Sequence, residues 1–212
     1  MSTRRSYDRV AARYAVELSG ELAGKPLDRA LLDAVAESAD GLVLDVGCGP
    51  GHVAAYLAGR VPVVGVDLSP RMCAHADVPT CAGDMTALPV RTRSVSALVC
   101  LYAVIHLDAG QRAQAYAEFA RVLRPDGQAL VAFHVRDAET PTGQEKTLTR
   151  WWDSEVDLTF HFLDPGEETR ALAEAGLTVT ARLDRAPNPR VEHASDRAYL
   201  LARAASASGS GS

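Results

Sequence analysis

Short apolar runs alternate along this chain with longer stretches of helical period. Leu42–Val46, Val61–Val66, Val95–Leu101 and Gln128–His134 are rich in Val, Leu and Ala with little polar interruption, the pattern of parallel strands covered on both faces. Between them, Leu27, Ala30, Leu31, Ala34 and Val35 fall on one helical stripe, and Tyr116, Phe119, Ala120 and Leu123 on another. Ser69 before Pro70 predicts a capped helix start. Asp164, Pro165 and Glu167 repeat that signature, and Gly176 closes the helix they open. Such alternation predicts an α/β domain with a parallel sheet and right-handed crossovers.

The end of the chain breaks the alternation. Leu177–Leu183 and Ala198–Ala202 read as two strands joined by a loop with Pro187, Asn188 and Pro189. No helix separates them, so the last strand is expected to run antiparallel. The stretch from His134 to Pro165 is too long for a simple connection and carries Trp151, Trp152, Phe160 and Phe162. Alternation of Val156, Leu158, Phe160 and Phe162 predicts one extra strand with a single buried face. This insertion, 135–165, is expected over the carboxyl edge of the sheet, where open α/β folds bind ligands. The expected organisation is one domain over 1–204, with N-terminal helices or a lid at 1–36. A tail of Ala, Ser and Gly at 205–212 is expected to be disordered.

Composition narrows the field. A chain of 212 residues with a net charge of −5 and scattered charges lacks the basic stripe of a nucleic-acid binder. The start (Arg4, Arg5, Arg9, Arg13) has no apolar run of the kind that directs secretion, and no stretch is long enough to span a membrane. A cytoplasmic protein is the expectation, as a monomer or a homodimer. Cys48, Cys73, Cys81 and Cys100 show neither paired spacing nor ligand-spaced histidines, so neither a disulfide framework nor a metal site is expected.

The most informative stretch is Leu42-Val43-Leu44-Asp45-Val46-Gly47-Cys48-Gly49-Pro50-Gly51-His52. A buried strand runs into three alternate glycines and then a helix, whose first amides can face a polar group. Cys48 reads as a small space-filler inside this turn. A dinucleotide fingerprint needs a third glycine where His52 stands, which counts against a nicotinamide cofactor. Asp67 ends the second strand, in Val63-Val64-Gly65-Val66-Asp67, where a carboxylate can accept both hydroxyls of a ribose.

These residues resemble the class I S-adenosylmethionine-dependent methyltransferases, and the resemblance runs from about Tyr7 to Leu201. Gly83-Asp84-Met85 is similar to the family's third signature. Glu118–Gly127 is similar to the lead into its fifth strand, with Asp126 where glycine is commoner. Tyr7–Tyr14 is similar to the leading helix of small-molecule members. The fourth strand departs from the family, reading Ser96-Ala97 where Phe-Asp is common. The resemblance implies a Rossmann-like seven-stranded sheet, mostly parallel with an antiparallel last strand, and helices on both faces. It also implies S-adenosylmethionine as cofactor, S-adenosylhomocysteine as product and no metal. The implied cofactor contacts are Tyr14, Asp45, Gly47, Cys48, Gly49, Gly51, Asp67, Leu68, Met72, Asp84, Met85 and Leu101.

Methyl transfer also requires a proton to leave the acceptor, and a neutral histidine or a tyrosine suits that near pH 7. His106, just past the fourth strand, is the first candidate base, or else a residue that shapes the pocket. His134 and Tyr14 follow. Tyr7, Tyr102, His106, His134, Trp151, Trp152 and Phe160 are the candidate acceptor contacts. The aromatic residues would form either a wall for a planar acceptor or the insertion's own small core. His161 is expected in solvent and His52 to be structural. The acceptor is expected to be a small aromatic or heterocyclic metabolite, methylated at N, O or C. The alternatives are a nicotinamide-dependent oxidoreductase and a non-catalytic module that binds S-adenosylmethionine.

Overall fold

The computed structural model describes residues 2–188 and 190–206. Pro189 and 207–212, most of the expected tail, lie outside the described residues. The elements in chain order are α1 (Thr3–Leu18), α2 (Pro26–Ser38), β1 (Val43–Val46), α3 (His52–Ala58), β2 (Val63–Asp67), α4 (Pro70–Cys73), β3 (Thr80–Ala82) and β4 (Val95–Leu101). There follow α5 (Ala109–Val122), β5 (Leu123–Asp137), β6 (Glu145–Trp151), β7 (Ser154–His161), α6 (Pro165–Glu174), β8 (Leu177–Arg185) and β9 (Ser195–Ala204). Single 3-10 turns occupy Glu21–Gly24 and Val104–His106.

Seven strands form one sheet in the order β3-β2-β1-β4-β5-β9-β8. β3 to β5 pair in parallel, and β9 runs antiparallel to both neighbours, as the missing helix before it required. The strand order reverses between β1 and β4, so a crevice opens there at the carboxyl edge. Strand side chains alternate between two cores. Leu44, Val46, Leu98 and Cys100 pack with Tyr116 and Phe119 of α5 and Leu172 of α6. Val43, Ala97 and Val99 pack with Leu32 and Val35 of α2 and Val53 and Leu57 of α3.

Both expected helix starts are present. Ser69 Oγ accepts from Met72 N at 3.1 Å, and Asp164 Oδ1 accepts from Gly166 N and Glu167 N at 2.8 and 2.9 Å. Asp126 adopts φ 63°, which explains why glycine is the commoner residue there.

β3 is only three residues, Thr80–Ala82, with Cys81 and Ala82 exposed, so no apolar run announces it. Two expectations need correction. The α2 stripe is displaced by one position: Leu27, Ala30 and Ala34 are exposed, whereas Asp28, Leu32, Val35 and Ala36 are buried. A buried charge at Asp28 disguised the true face. The insertion holds two strands rather than one. β6 and β7 form a separate antiparallel hairpin turned at Trp152, with φ 51°, and β6 is mostly exposed, so its period is polar.

The hairpin and α1 share a third small core. Val10 and Ala11 of α1 pack with Val156, Leu158 and Met72, with Tyr7, Tyr14, Trp151, Trp152 and Phe160 around them. Ser6 Oγ fastens the pair, donating to Asp157 O (3.2 Å) and accepting from Asp157 N (2.9 Å). Among the described residues no helix is long and apolar enough to cross a membrane.

Candidate active site

The turn after β1 uses three left-handed glycines: Gly47, Gly49 and Gly51 have φ 71°, 54° and 81°. The amides of Gly47 and Cys48 donate to the Val66 carbonyl, and that of Gly49 donates to Asp67 Oδ2 at 2.8 Å. A Cβ on Gly47 would fall 2.2 Å from Ala103 Cβ, so this glycine is required by the protein's own packing. On Gly49 it would meet only the Tyr14 ring, at 3.8 Å. The open approach to backbone is therefore at Gly49. Cys48 fills space as expected, 2% exposed with its thiol pushed well up by burial.

The turn opens onto a cavity of about 650 Å³, a size usual for small-molecule sites. Of the expected cofactor contacts, Tyr14, Asp45, Gly47, Cys48, Gly49, Asp67, Leu68, Met72, Asp84, Met85 and Leu101 line it. Gly51 does not; it caps α3, and a Cβ there would press on Ala76 at 2.8 Å. Asp67 at the end of β2 and Asp84 just past β3 thus face one shared space. Each is fixed by neighbouring backbone: Asp67 Oδ1 accepts from Ser69 N and Asp84 Oδ1 from Thr86 N, both at 2.8 Å.

Asp45 is the outlier in energy. It is 2% exposed and its Oδ2 has no partner among the described residues. Burial pushes its pKa up to about 7, against the pull of His52 and the Ala54 amide. An unpaired buried carboxylate oxygen is costly, and a ligand ammonium would satisfy it. Beside it stand residues the sequence reading missed or set aside. Glu21 accepts from Lys25 Nζ at 2.7 Å and pairs with His52 Nε2 at 3.0 Å, and all three line the cavity. Burial works against ionisation of Glu21, but its bonds to His52 and Lys25 win and hold its pKa down at about 2.

The expected acceptor contacts Tyr7, Tyr102, His106, His134, Trp151 and Phe160 also line the cavity; Trp152 does not. Trp152 stacks behind Trp151, centroids 5.0 Å apart, with the Arg13 guanidinium 5.2 Å over its ring. His106 has both nitrogens engaged: Nε2 lies 2.6 Å from Tyr7 Oη and Nδ1 2.8 Å from Thr159 O. Burial holds its pKa down at about 4. His134 pairs through Nδ1 with Ser195 Oγ at 2.7 Å and stacks on Tyr102. Burial first, then the nearby Arg197, takes its pKa to about 3. His161 is paired with Glu145 across the hairpin at 3.2 Å rather than left to solvent. Tyr102 adopts φ 59°, strain of a kind that clusters at functional sites. Among the described residues no group of three or more His, Cys, Asp and Glu could hold a metal.

A polar network missed by the sequence reading closes the far end. Asp28 Oδ1 accepts from Tyr199 Oη (2.8 Å) and Arg185 Nη2 (2.9 Å), and Asp28 Oδ2 accepts from Tyr102 Oη (3.1 Å). Glu192 pairs with Arg185 and Arg197. Only proximity in the fold assembles these residues, which are up to 171 positions apart.

This architecture, an open α/β sheet with a glycine turn at its reversal point and acids on successive strand ends, is that of Rossmann-like proteins that bind an adenosyl group. Residues 43–127 match the family model for a methyltransferase domain, and the similarities that follow support a class I S-adenosylmethionine-dependent methyltransferase. It is 37% identical over 144 residues to the ubiquinone/menaquinone biosynthesis C-methyltransferase UbiE of Syntrophotalea carbinolica, covering 61% of this chain and 60% of that protein. The chain thus spans about three fifths of that relative's length. A solved S-adenosylmethionine-dependent methyltransferase of Methanosarcina mazei superposes with TM-score 0.68 at 16% identity, over 79% of this chain and 94% of that one. The [4+2]-cyclase SpnF superposes with TM-score 0.70 at 19% identity, over 95% and 98%. The fold therefore hosts more than one chemistry.

Proposed function

We propose that the protein is an enzyme that transfers a methyl group from S-adenosylmethionine to a small organic acceptor, leaving S-adenosylhomocysteine. The observation that carries this reading is Asp45 Oδ2, buried without a partner among the described residues, on a carboxylate that lines the same cavity as Asp67, Asp84 and an aromatic compartment. Asp45 would hold the cofactor's ammonium, Asp67 its ribose hydroxyls, and Asp84 its adenine amino group, with Met85 against the ring. Tyr14 and the Gly49 backbone would flank the amino-acid end.

When bound, the cofactor would supply an electrophilic methyl for a nucleophilic electron pair of the acceptor, the sulfur–carbon bonding pair being left on sulfur. The chain's own work is alignment and removal of one proton. Tyr7 and His106 do the second part. The Thr159 carbonyl can only accept, so Nδ1 of His106 carries the proton and Nε2 accepts from Tyr7. Tyr7 takes the acceptor's proton as it passes its own to His106. Trp151 and Phe160 form the wall for a planar acceptor. The name of the relative, a quinone-biosynthesis C-methyltransferase, supports a small aromatic or heterocyclic acceptor; the atom methylated is N, O or C. The net charge of −5 supports a protein that leaves nucleic acid alone; a monomer or homodimer acting in the cytoplasm is part of the same proposal.

Titration calorimetry with S-adenosylmethionine and S-adenosylhomocysteine tests the first half, and no heat at about 1 mM ligand would end the reading. Transfer of labelled methyl to a small-metabolite extract tests the second. Binding without transfer would favour a non-catalytic module or a cyclase-like activity on this fold.

A further inference from the structure

The cavity has two ends, kept apart by the strand order. Asp45, Asp67 and Asp84 lie on or after β1, β2 and β3, to one side of the reversal. His134 on β5 and Arg197 on β9 lie to the other. In the β5–β9 ladder His134 is directly opposite Arg197, which puts their side chains together on one face. Tyr102 is the hub of this end. His134 stacks on its ring at 5.2 Å, the Arg197 guanidinium lies 5.5 Å from the ring centre, and Lys25 Nζ lies 5.4 Å from it. All four residues line the cavity.

Hydrogen bonding at this end is lopsided. The carboxylates are already supplied: Asp28 by Tyr199, Arg185 and Tyr102, Glu192 by both arginines and the Asn188 amide, and Glu21 by Lys25 and His52. The donors are not used up. Arg197, 3% exposed, donates to Ser195 O and His193 O and pairs with Glu192, yet its Nε has no partner among the described residues. Lys25, 6% exposed, has Glu21 as its side-chain ion-pair partner, although an ammonium carries three donors. His134 is held through Nδ1, and no hydrogen bond among the described residues occupies Nε2. Charges at this end balance, but donor positions left open on buried cations favour a ligand that brings acceptor oxygens. A planar guanidinium matches a carboxylate in particular.

Resting on the methyl-transfer reading, we propose that this end of the cavity binds a carboxylate of the methyl acceptor. The substrate class is then an organic acid with a planar body. Arg197 and Lys25 select for its charge, the neutral His134 ring offers Nε2 as a hydrogen-bonding position, and the rings of Tyr102, Phe160 and Phe162 receive its body. Arg197 is the principal specificity residue, because it brings a full charge and a free donor to the side away from the cofactor residues.

The test compares matched acid and amide pairs, 4-hydroxybenzoate with 4-hydroxybenzamide and indole-3-acetate with indole-3-acetamide. Affinities are measured by calorimetry on the full chain saturated with S-adenosylhomocysteine. The acid of at least one pair is expected to bind about tenfold or more tighter than its amide. Arg197→Gln is expected to erase that preference through weaker acid binding, leaving S-adenosylhomocysteine affinity unchanged within about twofold. Glu192 keeps Arg185 as a partner in that variant. If Arg197→Gln fails to fold, His134→Phe decides; it keeps a ring on Tyr102, removes the nitrogen and is expected to lower acid affinity at least about threefold. Equal affinities within both pairs, a preference for the amides, or no acid binding up to about 10 mM would overturn the proposal. The comparison is repeated without S-adenosylhomocysteine. Loss of cofactor binding then counts against the methyl-transfer reading, while acid selectivity is judged separately.

Discussion

The hydroxyl of Tyr7 sits 2.6 Å from Nε2 of His106, and the opposite nitrogen of that ring is fixed 2.8 Å from the Thr159 carbonyl. This orders the pair chemically: Tyr7 donates, His106 accepts, and the imidazole stays neutral because burial holds its pKa near 4. Tyr7→Phe should lower kcat on the order of 10- to 100-fold, within the range of general acid–base effects, while donor affinity changes little. Because the neutral ring is the working form, wild-type kcat at saturating S-adenosylmethionine should hold from pH 7 down to about 5 and fail as His106 protonates near pH 4. Removing the hydroxyl that occupies Nε2 makes protonation easier, so the acid limb should move upward in Tyr7→Phe. An unchanged kcat with an unchanged limb would remove Tyr7 and His106 from proton transfer.

Asp45 links stability to ligand binding. Its buried carboxyl has a raised pKa, 3.8 to about 7, so above about pH 4 the unfolded chain releases a proton that the folded one retains. The penalty grows as pH rises from about 4 to 7 and is constant beyond. His106 and His134 act in the opposite sense. Their folded pKa values are depressed from 6.5 to about 4 and about 3, so stability from these groups is lost as pH falls below 6.5. Asp45→Asn should therefore stabilise the ligand-free protein by on the order of 2 kcal/mol at pH 8, with little gain at pH 4.5. The same change should abolish most of the rise in Tm given by S-adenosylmethionine. Urea unfolding at the two pH values checks the first claim. A ligand-induced shift equal to that of wild type would refute the second.

Trp151 and Trp152 are neighbours with different duties. Trp151 lines the cavity and meets the rings of Tyr7 and Tyr14 edge-on at 6.2 and 5.6 Å. Trp152 turns the hairpin, covers Trp151 from behind and carries Arg13 over its face. Trp151→Ala should raise the acceptor KM about tenfold or more, as expected when an aromatic wall is lost. Trp152→Ala should change that KM only about two- to threefold, but should loosen α1. Hydrogen exchange over 3–18 and 154–161 would report the loosening, and equal KM effects would contradict the division.

The sheet was legible because parallel strands buried on both faces leave unbroken apolar runs, as Val95–Leu101 does. The antiparallel β9 was legible because the connection before it lacks a helical period. β3 and β6 were not, since an exposed edge strand and a solvent-facing ribbon carry no apolar signature. In the site, acids at strand ends and glycines in a turn are local patterns, so Asp45, Asp67 and Gly49 could be found from the chain alone. Lys25, Asp28, Glu192 and Arg197 could not, because each becomes a site residue only through partners far away in sequence. A weak signal did exist at Asp28. Shifting the α2 stripe by one position gives Leu32, Val35 and Ala36 a common face at the cost of burying one acid, and a core acid requires a partner.

That partner is Arg185, whose Nη2 lies 2.9 Å from Asp28 Oδ1, with side-chain exposures of 12% and 1%. Two tyrosine hydroxyls complete the Asp28 shell, and the Tyr102 hydroxyl lies 2.5 Å from that of Tyr199. Replacing Asp28 by Ala leaves one arginine donor and one of the two hydroxyls short of an acceptor in a buried setting, since one hydroxyl can donate to the other, which should cost about 3 kcal/mol. Asp28→Asn keeps one acceptor oxygen and should cost about half as much. Since Arg185 retains Glu192, the loss belongs to the contact with α2, and a double-mutant cycle of Asp28→Asn with Arg185→Met should return a coupling of about 1–2 kcal/mol. The affected region is predictable too. α2 should exchange its amide hydrogens faster while α5 and α6, on the other face of the sheet, stay protected. Additive energies in the cycle, or uniform loss of protection on both faces, would show that this network does not hold α2 to the sheet.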